Sequence, residues 1–223
     1  MKIVALLPMK ANSERVKGKN FKPLGGRPLF QWMLDTLNSM DEVTKVVINT
    51  DATEILKASP SVKNSKVVLK ERKAELCGDF VSMNKILADD IAEFSADVYL
   101  MTHTTNPFIS KLTLSSAITY FEEARKTSSA DSLFSVDRCK DRFYDKNLNP
   151  INHDPNKLIR TQDLDPLFRE NSNFYLFSKD SFNRTQARIG LSPVTFETPF
   201  MEALDIDEMY HWNMAELIAS GRN

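Results

Sequence analysis

The sequence predicts an α/β fold in one domain, built on an open, mostly parallel sheet with helices packed against it. Short β-branched runs alternate with amphipathic stretches along the chain, and 223 residues with 42% hydrophobic content suit one sizeable core better than two. Ile3 to Leu7, Lys45 to Asn49, Lys66 to Leu69, Val98 to Thr102, Ser132 to Val136 and Asn173 to Phe177 read as the strands.

The intervening segments carry helical spacing. After Pro28, which suits a first helical turn, Leu29, Met33, Leu37 and Met40 form an apolar stripe. Met83, Ile86, Leu87, Ile91 and Phe94 make a second face, and Ser110 caps a third helix through Leu114, Ile118 and Phe121. From Asp137 to about Asn171 the pattern gives way to polar sequence with turns at Asn149-Pro150 and Asp154-Pro155, an excursion that leaves the sheet and returns to it. Thr195 to Glu202 is a Pro-interrupted segment, followed after Asp205-Ile206-Asp207 by a helical stretch with Met209, Trp212, Leu217 and Ile218 as its apolar positions.

Charge narrows the function classes. The 29 basic and 30 acidic side chains leave a formal net charge of -1, so no global field attracts nucleic acid or an anionic membrane surface. Cys77 and Cys139 lie far apart in no metal-ligand spacing, which suits a reducing cytoplasm. The run Ile3 to Leu7 is too short for a signal-peptide core and no stretch is long enough to span a bilayer, so the expectation is a soluble, unprocessed protein.

Two local features carry chemistry. In open parallel sheets ligands bind beyond the carboxyl ends of the strands. The loop after the first strand, residues 8 to 28, gathers Lys10, Arg15, Lys17, Lys19, Lys22 and Arg27 around one acid, Glu14. Ammonium and guanidinium groups among small residues and backbone N–H donors can surround a triphosphate, although a charge run of this kind can also be a solvated surface. It is neither a P-loop nor a G-x-G-x-x-G fingerprint. The second feature is Asp205-Ile206-Asp207: if extended, it presents both carboxylates on one face, which suits magnesium, whereas the alternative is a helix N-cap with Asp207 capping and Asp205 exposed. Trp32 and Trp212 fall on helical faces as core residues, Cys77 reads as a packed small residue, and His153 and His211 show no recognisable partner.

With these anchors the chain resembles the acylneuraminate cytidylyltransferase family, which makes CMP-activated nonulosonic acids. Lys10-Ala11-Asn12-Ser13-Glu14-Arg15, Gly18-Lys19-Asn20 and Pro23-Leu24-Gly25-Gly26-Arg27-Pro28-Leu29 look like its N-terminal signature. Asn49-Thr50-Asp51, Arg72 with Ala74-Glu75-Leu76 and Asp79, Thr102-His103-Thr104-Thr105-Asn106-Pro107, Arg169-Glu170-Asn171-Ser172 and Leu204-Asp205-Ile206-Asp207 are similar to later motifs. Lys10 stands in place of the family's Arg, His103 of Gln, Asn106 of Ser and Ser172 of Gly.

The resemblance implies a Rossmann-like fold of the nucleotide-diphospho-sugar transferase type and CTP-dependent activation of an acidic sugar. It implies catalytic Lys10, Arg15 and Lys19, with nucleotide contacts from Pro8, Lys10, Ala11, Asn12, Ser13, Asn20, Arg72 and Ser82. It implies substrate contacts from His103, Thr104, Thr105, Asn106, Arg169 and Asn171, and magnesium on Asp205 and Asp207. Residues 137–171 are similar to the family's dimerisation arm, with Phe143, Tyr144, Leu164, Leu167 and Phe168 as a contact surface for a homodimer. The alternatives are a nucleotidyltransferase acting on another sugar or sugar phosphate, a glycosyltransferase, and a nucleotide-sugar binding module without activity.

Overall fold

The computed structural model describes residues 1–221. Strand β1 (Ile3–Leu6) leads through a 3₁₀ turn at Lys19–Phe21 and a short ribbon, β2 (Pro23–Leu24) and β3 (Arg27–Pro28), into α1 (Leu29–Asn38). There follow β4 (Val43–Thr50), α2 (Thr53–Lys57), β5 (Val67–Glu71), α3 (Met83–Glu93), β6 (Val98–Thr102) and α4 (Lys111–Thr127). The chain continues through β7 (Ser132–Cys139), β8 (Leu167–Phe177), α5 (Lys179–Thr185), β9 (Pro193–Glu197) and α6 (Met209–Ser220).

The main sheet has the order β5-β4-β1-β6-β8-β7-β9. Neighbouring strands pair in parallel except β8, which runs antiparallel to both β6 and β7. Alternate residues of β1 divide between the two faces, as the two-residue period of a strand requires. Ile3, Ala5 and Leu7 join the α1 and α4 stripes in one core, while Val4 and Leu6 pack with Leu87 and Ile91 of α3 and Phe182 of α5 in the other. Ser110 caps α4 as expected, accepting a hydrogen bond from the Thr113 N–H at 3.1 Å.

Every strand read from the sequence is present, and two extend into the segment read as the excursion. β7 runs on to Cys139 and β8 begins at Leu167, so Asp137 pairs with Arg169 inside the sheet and the excursion shrinks to residues 140–166. Backbone pairing overrides the polar side chains of these strand ends, which extend past the core. β9 was not anticipated: only its last residues fall in the Pro-interrupted segment, which then turns into a 3₁₀ helix at Phe200–Glu202. On α6 the buried face is Trp212, Ala215 and Ala219, while Met209 and Leu217 are exposed, contrary to the expected stripe. Leu164 is buried within its own chain, so it cannot serve as an exposed contact of the arm, whereas Tyr144 and Phe168 are half exposed.

A third core explains how the chain's ends meet. Val16 and Leu24 of the first crossover, Leu29 and Trp32 of α1, and Ile206, Trp212, Ala215 and Ala219 share it. Gly25 (φ 56) turns the β2–β3 ribbon against α6 so closely that an added Cβ would stand 2.9 Å from Ala219 Cβ. Lys22 lies over the Trp212 ring at 4.3 Å.

Candidate active site

The parallel order sends the connections after β1, β4, β5, β6, β7 and β9 to one edge of the sheet, and antiparallel β8 starts from that same edge. Two clefts open there. The first, of about 410 Å³, is lined by the loop after β1 (including Pro8, Lys10, Asn12, Ser13, Arg15 and Lys19), with Asn20, Arg72, and His103, Thr104 and Thr105 after β6. The second, of about 670 Å³, lies between the start of β8, the segment after β9 and α6.

Side-chain packing holds the first cleft open. The Asn20 amide donates to the Lys10 carbonyl at 2.7 Å and accepts from the Thr104 hydroxyl at 2.6 Å, so two buried polar groups pin the β1 loop to the β6 loop. The Ala11 N–H donates to Asp51 at 2.6 Å, making Ala11 a backbone anchor outside the cleft lining. Arg72 is buried and spends its guanidinium on Asn49 Oδ1 (2.9 Å) and the carbonyls of Asn49 (2.7 Å) and Met9 (3.0 Å). It touches the cleft but is committed to the loop backbone. Ser82 is exposed and caps α3 through the Asn84 N–H, while its neighbours Val81 and Met83 line the cleft.

Asn106 also departs from expectation: fully buried, it donates to the Leu204 carbonyl at 3.4 Å and lines neither cleft. The His103 ring sits deep although part of the residue remains open at the cleft wall; burial, with Arg188 and Lys19 nearby, pulls its pKa down to about 3 despite the opposing Asp207 carboxylate. Cys77 is only partly covered rather than packed away.

Asp205-Ile206-Asp207 lies where Arg15 and Lys19 of the first cleft reach the lining of the second. Ile206 is fully buried in the third core and its N–H donates to the Thr105 carbonyl at 2.9 Å, so both neighbouring side chains turn to the second cleft. The two carboxylates thus share one side, as the extended reading expected. The cap of α6 is Glu208 rather than Asp207, and His211 completes it by accepting the Asp207 and Glu208 N–H groups at 3.2 Å through Nδ1. His211 therefore has a partner, and His153 stacks edge-on against Tyr144.

Buried Lys19 donates to the Ile206 carbonyl at 2.5 Å and stands 3.4 Å from Asp207 Oδ1. Arg15 reaches Asp207 at 3.1 Å and Glu208 at 3.3 Å. Cations of the first crossover and carboxylates near the tail thus share one wall. Lys10 instead pairs with Asp79 at 2.8 Å. The Lys10 and Arg15 pairs are solvent-accessible and add little stability, so an incoming phosphate can displace them. Burial pushes the Asp205 carboxyl above the usual range against the Thr105 hydroxyl's hydrogen bond, and its buried Oδ1 has no partner.

In the second cleft β8 breaks its pairing with β7. Tyr175 pairs with Phe134 and Glu170 with Val136, leaving Asn171 to Phe174 opposite Ser135 alone, with Ser172 left-handed at φ 57. The bulge turns Asn171 and Ser172 to the cavity wall. Asn171 donates to Asp137 (2.8 Å) and Thr198 (2.7 Å), and Arg169 is tied to the same Asp137 carboxylate. Phe200, Met201, Leu204, Met214 and Leu217 supply an apolar wall. Sequence reading missed Asp137 because its partners lie 32 and 34 residues away, and missed the wall because its residues come from two separate segments.

The fold and this pair of clefts define a Rossmann-like α/β domain of the nucleotidyltransferase type. A solved structure of CMP:2-keto-3-deoxy-manno-octonic acid synthetase complexed with CTP superposes with a TM-score of 0.69 over 100% of both chains at 14% identity, a likeness of fold. The Cytidylyltransferase family profile matches residues 4–216. The chain belongs to this family. It is 27% identical over 96% of its length to the N-acylneuraminate cytidylyltransferase of Oncorhynchus mykiss, of which it spans only 49%. It is 24% identical over 97% of its length to the CMP-N,N'-diacetyllegionaminic acid synthase of Legionella pneumophila subsp. pneumophila, covering 95% of that protein.

Proposed function

We propose that the chain is a CTP-dependent cytidylyltransferase that activates an acidic sugar of the nonulosonic class, releasing pyrophosphate. The observation that carries this reading is the wall where Arg15 and Lys19 meet Asp207 between the two clefts. The names of the relatives support the choice of CTP and of a nonulosonic acid. The apolar side of the second cleft favours a sugar bearing acyl groups over a sugar phosphate.

In this mechanism the triphosphate lies in the first cleft, where Lys10, Arg15 and Lys19 cancel charge on its oxygens, and the acceptor lies in the second with Arg169 and Asn171 at its wall. The acceptor hydroxyl attacks the α-phosphorus and pyrophosphate leaves from the opposite side. His103, neutral at physiological pH, offers a hydrogen bond without adding charge.

The residues also fit magnesium. Asp205 carries an unpartnered buried oxygen, and both it and Asp207 line the second cleft. A pair of carboxylates suits an ion completed by water and substrate phosphates. Asp205 and Asp207 would hold such an ion, which would supply charge neutralisation for the phosphates.

We place the enzyme in the cytoplasm, where Cys77 and Cys139 stay unpaired, and assign the exposed Tyr144 and Phe168 to a homodimer contact. No helix among the described residues is long and apolar enough to cross a membrane. Pyrophosphate release from CTP, assayed with a panel of nonulosonic acids, Kdo and sugar phosphates, tests the activity. Release with a nonulosonic acid is the expected result. Release with a sugar phosphate alone overturns the acceptor assignment, and CTP binding without release with any acceptor leaves a binding module.

A further inference from the structure

We infer that Asp90 is a positioning residue for the nucleotide loop, acting through Asn49 and Arg72 on the carbonyl of Met9. The inference deepens the proposed function and rests on it only for the identity of the nucleotide.

A fully buried carboxylate on α3 calls for a reason, because a leucine there would avoid the cost of removing charge from water. Lys70 is not the reason. Its ammonium already has Asp89 Oδ2 at 2.6 Å, Glu93 Oε2 at 3.1 Å and the Asp89 carbonyl at 2.9 Å, with Asp90 Oδ1 a further contact at 3.1 Å. The shorter contact of Asp90 is with Asn49, whose Nδ2 donates to Oδ1 at 2.7 Å.

That bond fixes which way the Asn49 amide faces. With Nδ2 held by Asp90, Oδ1 is presented to Arg72 Nε at 2.9 Å. The flipped amide would set an oxygen against the carboxylate and an NH₂ against a guanidinium that cannot accept. Arg72, aimed in this way, grips the carbonyls of Asn49 and Met9 through Nη2. Met9 in turn donates its N–H to the Asn49 carbonyl at 3.1 Å and immediately precedes Lys10. Asp90 and Asn49 are fully buried and Arg72 meets only the cleft edge, so losing one member leaves its partners unsatisfied.

The test uses three variants of the full chain. Asp90→Ala removes the acceptor and frees the amide, Asp90→Asn keeps an oxygen there, and Asn49→Ala cuts the relay while keeping the Lys70–Asp90 pair. Asp90→Ala and Asn49→Ala are expected to raise KM for CTP about tenfold, the size of one hydrogen bond to a charged group, with KM for the acceptor unchanged. The Met9 and Ala11 amides of the ligand-free protein should exchange with deuterium about tenfold faster. Asp90→Asn should recover most of both effects. A lower melting temperature with KM for CTP and Met9–Ala11 exchange unchanged makes Asp90 merely structural and overturns the inference, as does an equal rise in both KM values. If Asp90→Ala does not fold, Asn49→Ala carries the same prediction. Should the wild type show no CTP turnover, the functional reading falls, and exchange at Met9 and Ala11 still decides the relay.

Discussion

Asp205→Asn should make the ligand-free protein more stable while nearly abolishing its activity. The Asp205 carboxyl is raised by burial and by Asp207 beside it, and its Oδ1 is buried without a partner. In the unfolded chain the same group ionises in the ordinary carboxylate range. Its contribution therefore favours folding least above the raised folded value: stability is lost as pH climbs from the unfolded to the folded pKa, and the loss persists at neutral pH.

An unsatisfied buried polar group costs about 1 to 3 kcal/mol. An amide at this position gives part of that back, about 1 kcal/mol, or about 2 to 4 °C in Tm for a chain of this size. Catalysis moves the other way, by about a hundredfold to a thousandfold, if the carboxylate holds the ion that neutralises phosphate charge. The assay is a pair of melting curves at pH 7 with and without magnesium, beside a pyrophosphate-release assay. Wild type should gain Tm with magnesium and the variant should not. A variant that melts lower in the absence of metal, still responds to magnesium and turns over normally refutes the reasoning about Asp205.

Lys10→Ala should lower turnover roughly a hundredfold or more, the worth of one charge-stabilising contact, while costing little stability because its pair with Asp79 is exposed; unchanged turnover removes Lys10 from the catalytic set. The His103 imidazole, depressed to about 3, should show no NMR titration between about pH 5 and 8, and because the unfolded value is near 6.5, stability falls as pH drops from about 6.5 toward about 3. His103→Gln should accordingly shift the acid-unfolding midpoint downward, and a ring titrating near 6.5 would contradict its burial. Tyr144→Asp and Phe168→Asp, at half-exposed positions, should turn a dimer into a monomer in light scattering without lowering Tm by more than a few degrees; a wild type already monomeric at working concentration removes the homodimer.

Much of the candidate site was legible as a set of motifs because those motifs are local in the chain. The basic loop follows the first strand directly, and the alternation in Asp205-Ile206-Asp207 needs only an apolar residue between two acids to foretell which side chains share a face. What the residues between these motifs do was less legible. Asn20, Arg72 and Asn106 look like ligand contacts in the sequence, yet in the fold much of their hydrogen bonding goes to carbonyls 10, 63 and 98 residues away, respectively. A polar side chain advertises donors and acceptors, and only packing says whether backbone or ligand receives them.

The sequence alone determined the alternation of strands and helices, the local concentration of positive charge and the near-neutral balance elsewhere, because periodicity and composition act over a few residues. The tertiary structure alone decided that Val16, Leu24, Trp32, Ile206 and Trp212 share one core. That burial draws Arg15 and Lys19 to Asp207 across 192 and 188 residues, since apolar surface from both ends of the chain leaves water by packing together and carries the charges beside it into contact.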